Sequence, residues 1–351
     1  MMAADAFEGA EVCEHCGRES CEDHIPPDPT AAPAGRRLIG YSLADLAVHQ
    51  FPPRRTLLAR ADTPILRAAQ LAQVYGERGT GKSWFAQSLA LAAAAGGSVC
   101  GITAPAPCRV VYVDGEMASE DIQARFVLLA DRLRVPRTAN LTIVAADWQT
   151  EFLPRLDTQI GQDLIEPFLP GADVVVLDNR SCLLDPEGEK DATAWQPAQD
   201  WLLSLRRRGI AVVIVHHSNR QGGARGHSKA EDALDVVLKL ARPDDYSAEQ
   251  GARFVATFEK ARGPHGAAVA PFTAHLTPEG WQTLDADTAS PRARLVAYLR
   301  LADAAGDRPK SASAAIRAAG VNKAKGLDAW AALKQDGAIG SHPEGGFYVV
   351  C

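Results

Sequence analysis

Aromatic side chains are scarce in this sequence. Phe, Trp and Tyr make up 6% of its 351 residues, while Ala and Leu abound, the balance of a helix-rich α/β protein. Positive charge is also short: 37 Lys and Arg face 43 Asp and Glu, giving a net charge of −6 and a pI near 5.9. That excludes a bulk electrostatic grip on nucleic acid, so any such contact must be local. No apolar run reaches membrane-spanning length, and the opening "MMAADAFEGAEV" lacks a basic n-region and an apolar h-region. A soluble, cytoplasmic protein with no membrane partner is expected. Seven cysteines, three of them crowded near the start, suit a reduced compartment better than a disulfide framework. Internal repeats are absent too.

What is present begins with "YGERGTGKSW", Tyr75 to Trp84, which carries the spacing G-x-x-x-x-G-K-S. An apolar run, "AQLAQVY", precedes it as a buried strand would, and "SWFAQSLALAAAA" follows as an unbroken helix. Strand, glycine loop and helix in that order are the context of a phosphate-binding loop. Gly76, Gly79, Thr80, Gly81 and Trp84 are the candidate loop residues. Lys82 is expected to reach the terminal phosphates of ATP, and the Ser83 hydroxyl to ligate Mg²⁺.

From 37 to 286, apolar strands alternate with helical stretches. "RVVYVDG" (109–115), "LTIVAA" (141–146), "ADVVVLD" (172–178) and "IAVVIVHH" (210–217) are continuous Val/Ile runs, the mark of parallel strands buried on both faces. After His217 come "VVLKLAR", "RFVATFEKAR" and "FTAHLTPEGWQ", consecutive strands that predict an antiparallel extension of the sheet. Residues 1–36 read as a tail. Residues 290–351 read as a small separate unit of three helices and a hairpin, the second and third helices meeting near an Asn322 cap. That is a winged-helix-like pattern, which serves DNA binding or protein–protein packing. Its third helix offers Lys323, Lys325 and Lys334.

The chemistry gathers at strand ends, where ligands of α/β proteins collect. "VVYV" ends in Asp114-Gly115-Glu116-Met117; Glu116 is placed to orient an attacking water, whereas Asp114 and Glu120 suit the capping of the next helix. "DVVVLD" ends in Asp178, the Walker B pattern, whose carboxylate supports Mg²⁺. "VVIVHHSNR" places His217 where it can sense the terminal phosphate. A GTPase is disfavoured, since no N-K-x-D base-reading motif follows that strand.

Taken in order, Glu116-Met117 with Arg125, Asp178, His217-Ser218-Asn219-Arg220 and "EKARGPHG" resemble the RecA-type core of ring helicases of the DnaB and plasmid RepA types. The resemblance spans roughly Ile65 to Trp281. It implies a RecA-like P-loop ATPase with Glu116 as catalytic base, His217 as sensor, and Lys260-Ala261-Arg262-Gly263 as the element reaching a neighbouring subunit's nucleotide, with Arg262 the arginine finger and Lys260 its partner. Asp178 is followed by Asn-Arg-Ser, and His217 replaces the DnaB-type Gln; both departures lean towards the plasmid type. The loops 179–193 and 219–229 would line a central channel. The first is too acidic for a convincing DNA contact, whereas the second carries Arg220, Arg225 and Lys229 and suits backbone phosphates. Arg225 could equally face nucleotide.

At the start of the chain, Cys13, Cys16, Cys21 and His24 have the spacing C-x2-C-x4-C-x2-H, which can close a tetrahedron around Zn²⁺ in a knuckle. The expectation from sequence is therefore an ATPase and helicase acting in DNA replication for a plasmid, phage or integrated element. It assembles as a homo-oligomeric ring, a hexamer, on single-stranded DNA, with replication or recombination proteins as further partners. The alternatives are an ATP-switched recombination mediator and a regulatory or defence ATPase.

Overall fold

The computed structural model describes residues 39–184, 194–218, 232–243, 245–285, 291–321, 323–343 and 345–350. The zinc-knuckle candidates, the channel residues Arg220, Arg225 and Lys229, and the Asn322 cap lie outside them. The chain divides into two compact units, Met1–Pro53 and Arg54–Cys351. In the first, helix α1 (Leu43–Val48) is capped by the Ser42 hydroxyl, which accepts the Asp45 N–H at 3.1 Å.

The second unit opens with a hairpin of β1 (Thr56–Arg60) and β2 (Thr63–Arg67), followed by β3 (Leu71–Gly76) and α2 (Lys82–Ala95). Two short strands, β4 (Ser98–Val99) and β5 (Ile102–Thr103), complete a small antiparallel sheet of order β2-β1-β5-β4. Then come β6 (Val110–Asp114), α3 (Ser119–Leu133), β7 (Leu141–Ala145), α4 (Gln159–Ile165), β8 (Val174–Asp178), α5 (Arg180–Leu183), α6 (Gln196–Arg207) and β9 (Ala211–His217). Strands β10 (Val236–Ala241), β11 (Arg253–Ala261), β12 (Phe272–Thr277) and β13 (Gly280–Asp285) follow. The chain ends in α7 (Pro291–Ala304), α8 (Ala312–Ala318), α9 (Lys323–Gln335) and a hairpin of β14 (Ile339–Ser341) and β15 (Phe347–Val349).

The central sheet has nine strands in the order β13-β12-β11-β10-β3-β9-β8-β6-β7. From β10 to β7 every pairing is parallel, and β11 to β13 extend it antiparallel. This largely parallel α/β architecture, with the antiparallel extension expected from the strand pattern, fits the RecA-like P-loop core that the resemblance implies. One detail differs: "VVLKLA" pairs parallel to β3 and is not the first strand of the antiparallel extension. The chain between Ser218 and Asp235 is long enough for a crossover, which needs a dozen or more residues, so it re-enters the sheet in the same direction.

The Val/Ile runs are buried on both faces because each face has its own core. Val110 and Tyr112 point into a layer with Phe85, Ile122 and Phe126, whereas Val111 and Val113 point into one with Leu156, Trp201 and Leu205. Helix α2 is apolar nearly all round, with Phe85 to Ala94 buried without interruption. Its alanines let it lie against the sheet, α3 and the small sheet at once. The three C-terminal helices and their hairpin close a separate core around Leu295, Ile316, Trp330 and Leu333. Among the described residues no helix is long and apolar enough to cross a membrane.

Candidate active site

Strands β3, β6, β8 and β9 run parallel, so Gly76, Asp114, Asp178 and His217 finish on one edge of the sheet. A cavity of about 650 Å³ opens there, lined by Gly79, Gly81, Lys82, Ser83, Trp84, Glu116, Arg125, Asp178, Asn179 and His217 among others. Of the candidates in the glycine loop and at the strand ends, all but Gly76 and Thr80 line it. Those two shape the loop from beneath: the Thr80 hydroxyl donates to the Glu77 carbonyl at 2.8 Å. Gly81, the residue before α2, has φ +96°, and a Cβ there would sit 2.8 Å from the Ala252 Cβ. Both facts demand glycine where the backbone must turn its N–H groups toward an anion.

The charges of the site are held under tension. Burial pulls the Lys82 ammonium down to about 8, against the opposing pull of Asp178 and Glu116, and its Nζ donates to the Glu77 carbonyl at 2.7 Å. Burial likewise pushes the Asp178 carboxyl up to about 6, while hydrogen bonds from Tyr112 (2.6 Å) and Ser83 work the other way. Low dielectric disfavours both ionised forms, so an incoming polyanion with a divalent cation supplies what each group lacks. On that chemistry the residues fit a nucleoside triphosphate with Mg²⁺, and Ser83 and Asp178 are the groups that could hold the metal.

Asp114 is buried, and its Oδ1 accepts the N–H groups of Glu116 (2.9 Å) and Met117 (2.8 Å). The capping role read for it from sequence is therefore a loop-holding one, which presents Glu116 to solvent at the cavity. The Glu116 Oε2 accepts a hydrogen bond from the Asn179 amide, whose nitrogen is also 3.5 Å from His217 Nε2. Asn179 thus connects the strand-end acid to the strand-end imidazole.

Sequence reasoning put Asn179 at the head of a channel loop. Instead it is buried at the nucleotide cavity, and Arg180, Leu183 and Leu184 after it turn into the core. The physical reason is the short α5, which Asn179 caps by accepting the Cys182 N–H (3.3 Å) and which buries its apolar residues against β8 and β9. Arg125 on α3 lies over the Trp84 ring at 4.6 Å.

The far rim of the cavity was missed altogether. Tyr246, Gly251 and Ala252 line it, and Arg242 spans from the Tyr246 ring (4.9 Å) to the Arg78 carbonyl (3.2 Å). The signal was available in Ser247-x-x-Gln250, a capping box that fixes this turn.

Lys260 and Arg262 are elsewhere. Strand β11 runs antiparallel to β10, so Ala261 pairs with Val236 at the opposite end of the sheet from Arg242. The length of β10 puts them roughly 17 Å or more from the phosphate loop. There Arg262 donates to the Asp232 carbonyl at 2.7 Å and lies 3.7 Å from Asp235, with its side chain half exposed.

Among curated proteins, none matches the chain. A family profile described as AAA domain matches residues 32–223, more than half of the sequence. That span contains the glycine loop, Glu116, Asp178 and His217 in the cavity just described, and the chain accordingly belongs to the AAA domain family, as an ATPase of the P-loop type.

Proposed function

We propose that the chain is one protomer of an ATP-driven ring, a hexamer as in the helicases it resembles, which moves along single-stranded DNA as a replicative helicase of a mobile or integrated element. ATP lies over Gly79 to Ser83 with its terminal phosphate at Lys82. Ser83 and Asp178 would hold Mg²⁺, which would supply positive charge against the phosphates. Glu116, aimed by Asp114 and steadied by Asn179, accepts the proton of the water that attacks the terminal phosphorus as the bond to the ADP oxygen breaks. His217 reports the phosphate's departure to the segment that follows it through the same Asn179.

The observation carrying this reading is the separation of Arg262 from its own cavity. A cation that far away cannot meet the charge developing in its own site, but it can meet that of an adjacent copy. Mixing Lys82→Ala and Arg262→Ala proteins, each inactive alone, is expected to restore ATPase activity, because mixed rings contain sites with both residues. A mixture that stays inactive, or an Arg262→Ala protein as active as the parent, sinks the ring. A forked-duplex assay then tests the motor: single-stranded DNA that stimulates hydrolysis without unwinding favours the mediator. Absence of stimulation favours a regulatory ATPase.

A further inference from the structure

The acidic chain keeps one stretch free of acid. Residues 308–327 contain Arg308, Lys310, Arg317, Lys323 and Lys325 and neither Asp nor Glu, against a net charge of −6 for the whole. The stretch is not a tail. Its described residues form the end of one loop, helix α8 and the start of α9, and all but Arg308 of these cations stand exposed. Arg308 is taken up by Asp303.

The two helices are locked against each other. A Cβ at Gly326 would fall 2.5 Å from the Ile316 Cγ2, so only glycine lets α9 cross α8 this closely. On the far side Trp330 meets Phe347 edge-on at 5.0 Å, which fixes the hairpin to α9. Lys334, offered from sequence as part of the basic surface, is drawn over the same Phe347 ring at 5.2 Å and belongs to that packing. The exposed residues of α9 are Lys323, Ala324, Lys325, Leu327 and Asp328 in its first half and Ala331, Lys334 and Gln335 beyond it.

We infer that this C-terminal unit binds duplex DNA, with the first half of α9 in the major groove and Lys310, Arg317 and Lys323 on backbone phosphates. The dimensions agree: a helix of 13 residues is about 20 Å long and 10–12 Å across, and the major groove is about 12 Å wide. The small side chains of Ala324 and Ala331 permit close approach to base edges, and Asp328 is of the type that accepts from cytosine N4. A protein partner is the poorer match, since a docking face wants an apolar, aromatic-rich centre and here only Leu327 is large and apolar. The proposal does not depend on the motor reading.

The test uses the full chain without nucleotide and follows the anisotropy of a labelled duplex of about two helical turns, beside a single strand of the same sequence. The parent is expected to bind the duplex, with affinity falling steeply in salt. The triple variant Lys310→Glu, Arg317→Glu, Lys323→Glu should lose about tenfold or more and show a salt slope shallower by about three phosphate contacts. The triple Gln variant should fall between the two, which keeps the test valid if charge reversal disturbs folding. Hydrolysis stimulated by single-stranded DNA should survive in both, so a failed motor and a failed duplex site give different results. Duplex affinity unchanged by the variants overturns the inference. So does binding of poly-glutamate, the acidic-protein probe, in place of duplex.

Discussion

Asp178 and Asp235 are both buried, at opposite ends of the same parallel strands, and they are treated in opposite ways. At the amino end, Asp235 Oδ2 accepts the Leu71 N–H at 3.0 Å, while Arg206 and Arg262 lie 3.6 and 3.7 Å from Oδ1. The chain supplies all the compensation that carboxylate needs. At the carboxyl end, Asp178 receives hydroxyl donors from Tyr112 and Ser83, but Lys82 is itself drawn toward neutrality, and Asp114 adds a like charge. The first aspartate is a structural part. The second is left wanting a cation, which suits the metal-holding role proposed for it and comes at the expense of the fold's own stability.

The largest effects should come from exchanging these two residues for uncharged ones. Asp178→Asn should lower ATPase activity by about a hundredfold or more, because metal stabilisation of transition-state charge is worth several kcal/mol. Yet it should melt no lower than the parent in the absence of Mg²⁺, since it removes a poorly solvated charge. Asp235→Ala should do the reverse: it should cost about 3 kcal/mol in denaturant unfolding by orphaning the Leu71 N–H and Arg206 while leaving nucleotide affinity intact. If Asp178→Asn is the less stable of the two, the contrast between the ends is wrong.

Titration sharpens the same contrast. A carboxyl raised from 3.8 to about 6 on folding favours the folded state fully below pH 4, and that contribution disappears as pH rises through 6. Two pK units correspond to about 3 kcal/mol. With metal chelated, the stability of the parent relative to Asp178→Asn should therefore decline by that order between pH 4 and 7. Lys82, titrating near 8, stays outside this window. Added Mg²⁺ should recover much of the difference; a flat difference across the window rules out a strained Asp178.

Sequence made the parallel strands and the phosphate loop legible because both obey local rules: Val/Ile runs need two covered faces, and the glycine loop needs fixed spacing. The small sheet was not legible. Its β1–β2 hairpin turns on Ala61 and Asp62, both at positive φ, where the usual Asn-Gly or Asp-Gly signal is missing. The partnership of Glu116, Asn179 and His217 joins three strand ends far apart in the chain, and no spacing announces it. The positions of Lys260 and Arg262 depended on strand direction, which follows from the crossover into β10 and not from their own residues.

A third aspartate stands between these extremes, and it yields the smallest prediction. Asp245 lies beside Tyr246 on the cavity rim and is bridged by Arg253 (3.0 Å) from the core strand β11 and by Arg294 (2.9 Å) from α7 of the C-terminal unit. Burial alone would raise its carboxyl, but the Arg253 hydrogen bond and the Arg294 charge hold it below the ordinary value. Because both partners are partly solvated, Arg294→Ala should cost about 1 kcal/mol or less. Its trace should be local, as faster hydrogen exchange at residues 245–252 with the central strands unchanged. Arg253→Ala should loosen the same rim further, since Arg253 also donates to Gln250 at 2.8 Å. Equal exchange in the parent and in Arg294→Ala would mean that the C-terminal unit is joined to the nucleotide rim by the chain alone, and that Asp245 belongs with Asp235 as a purely internal support.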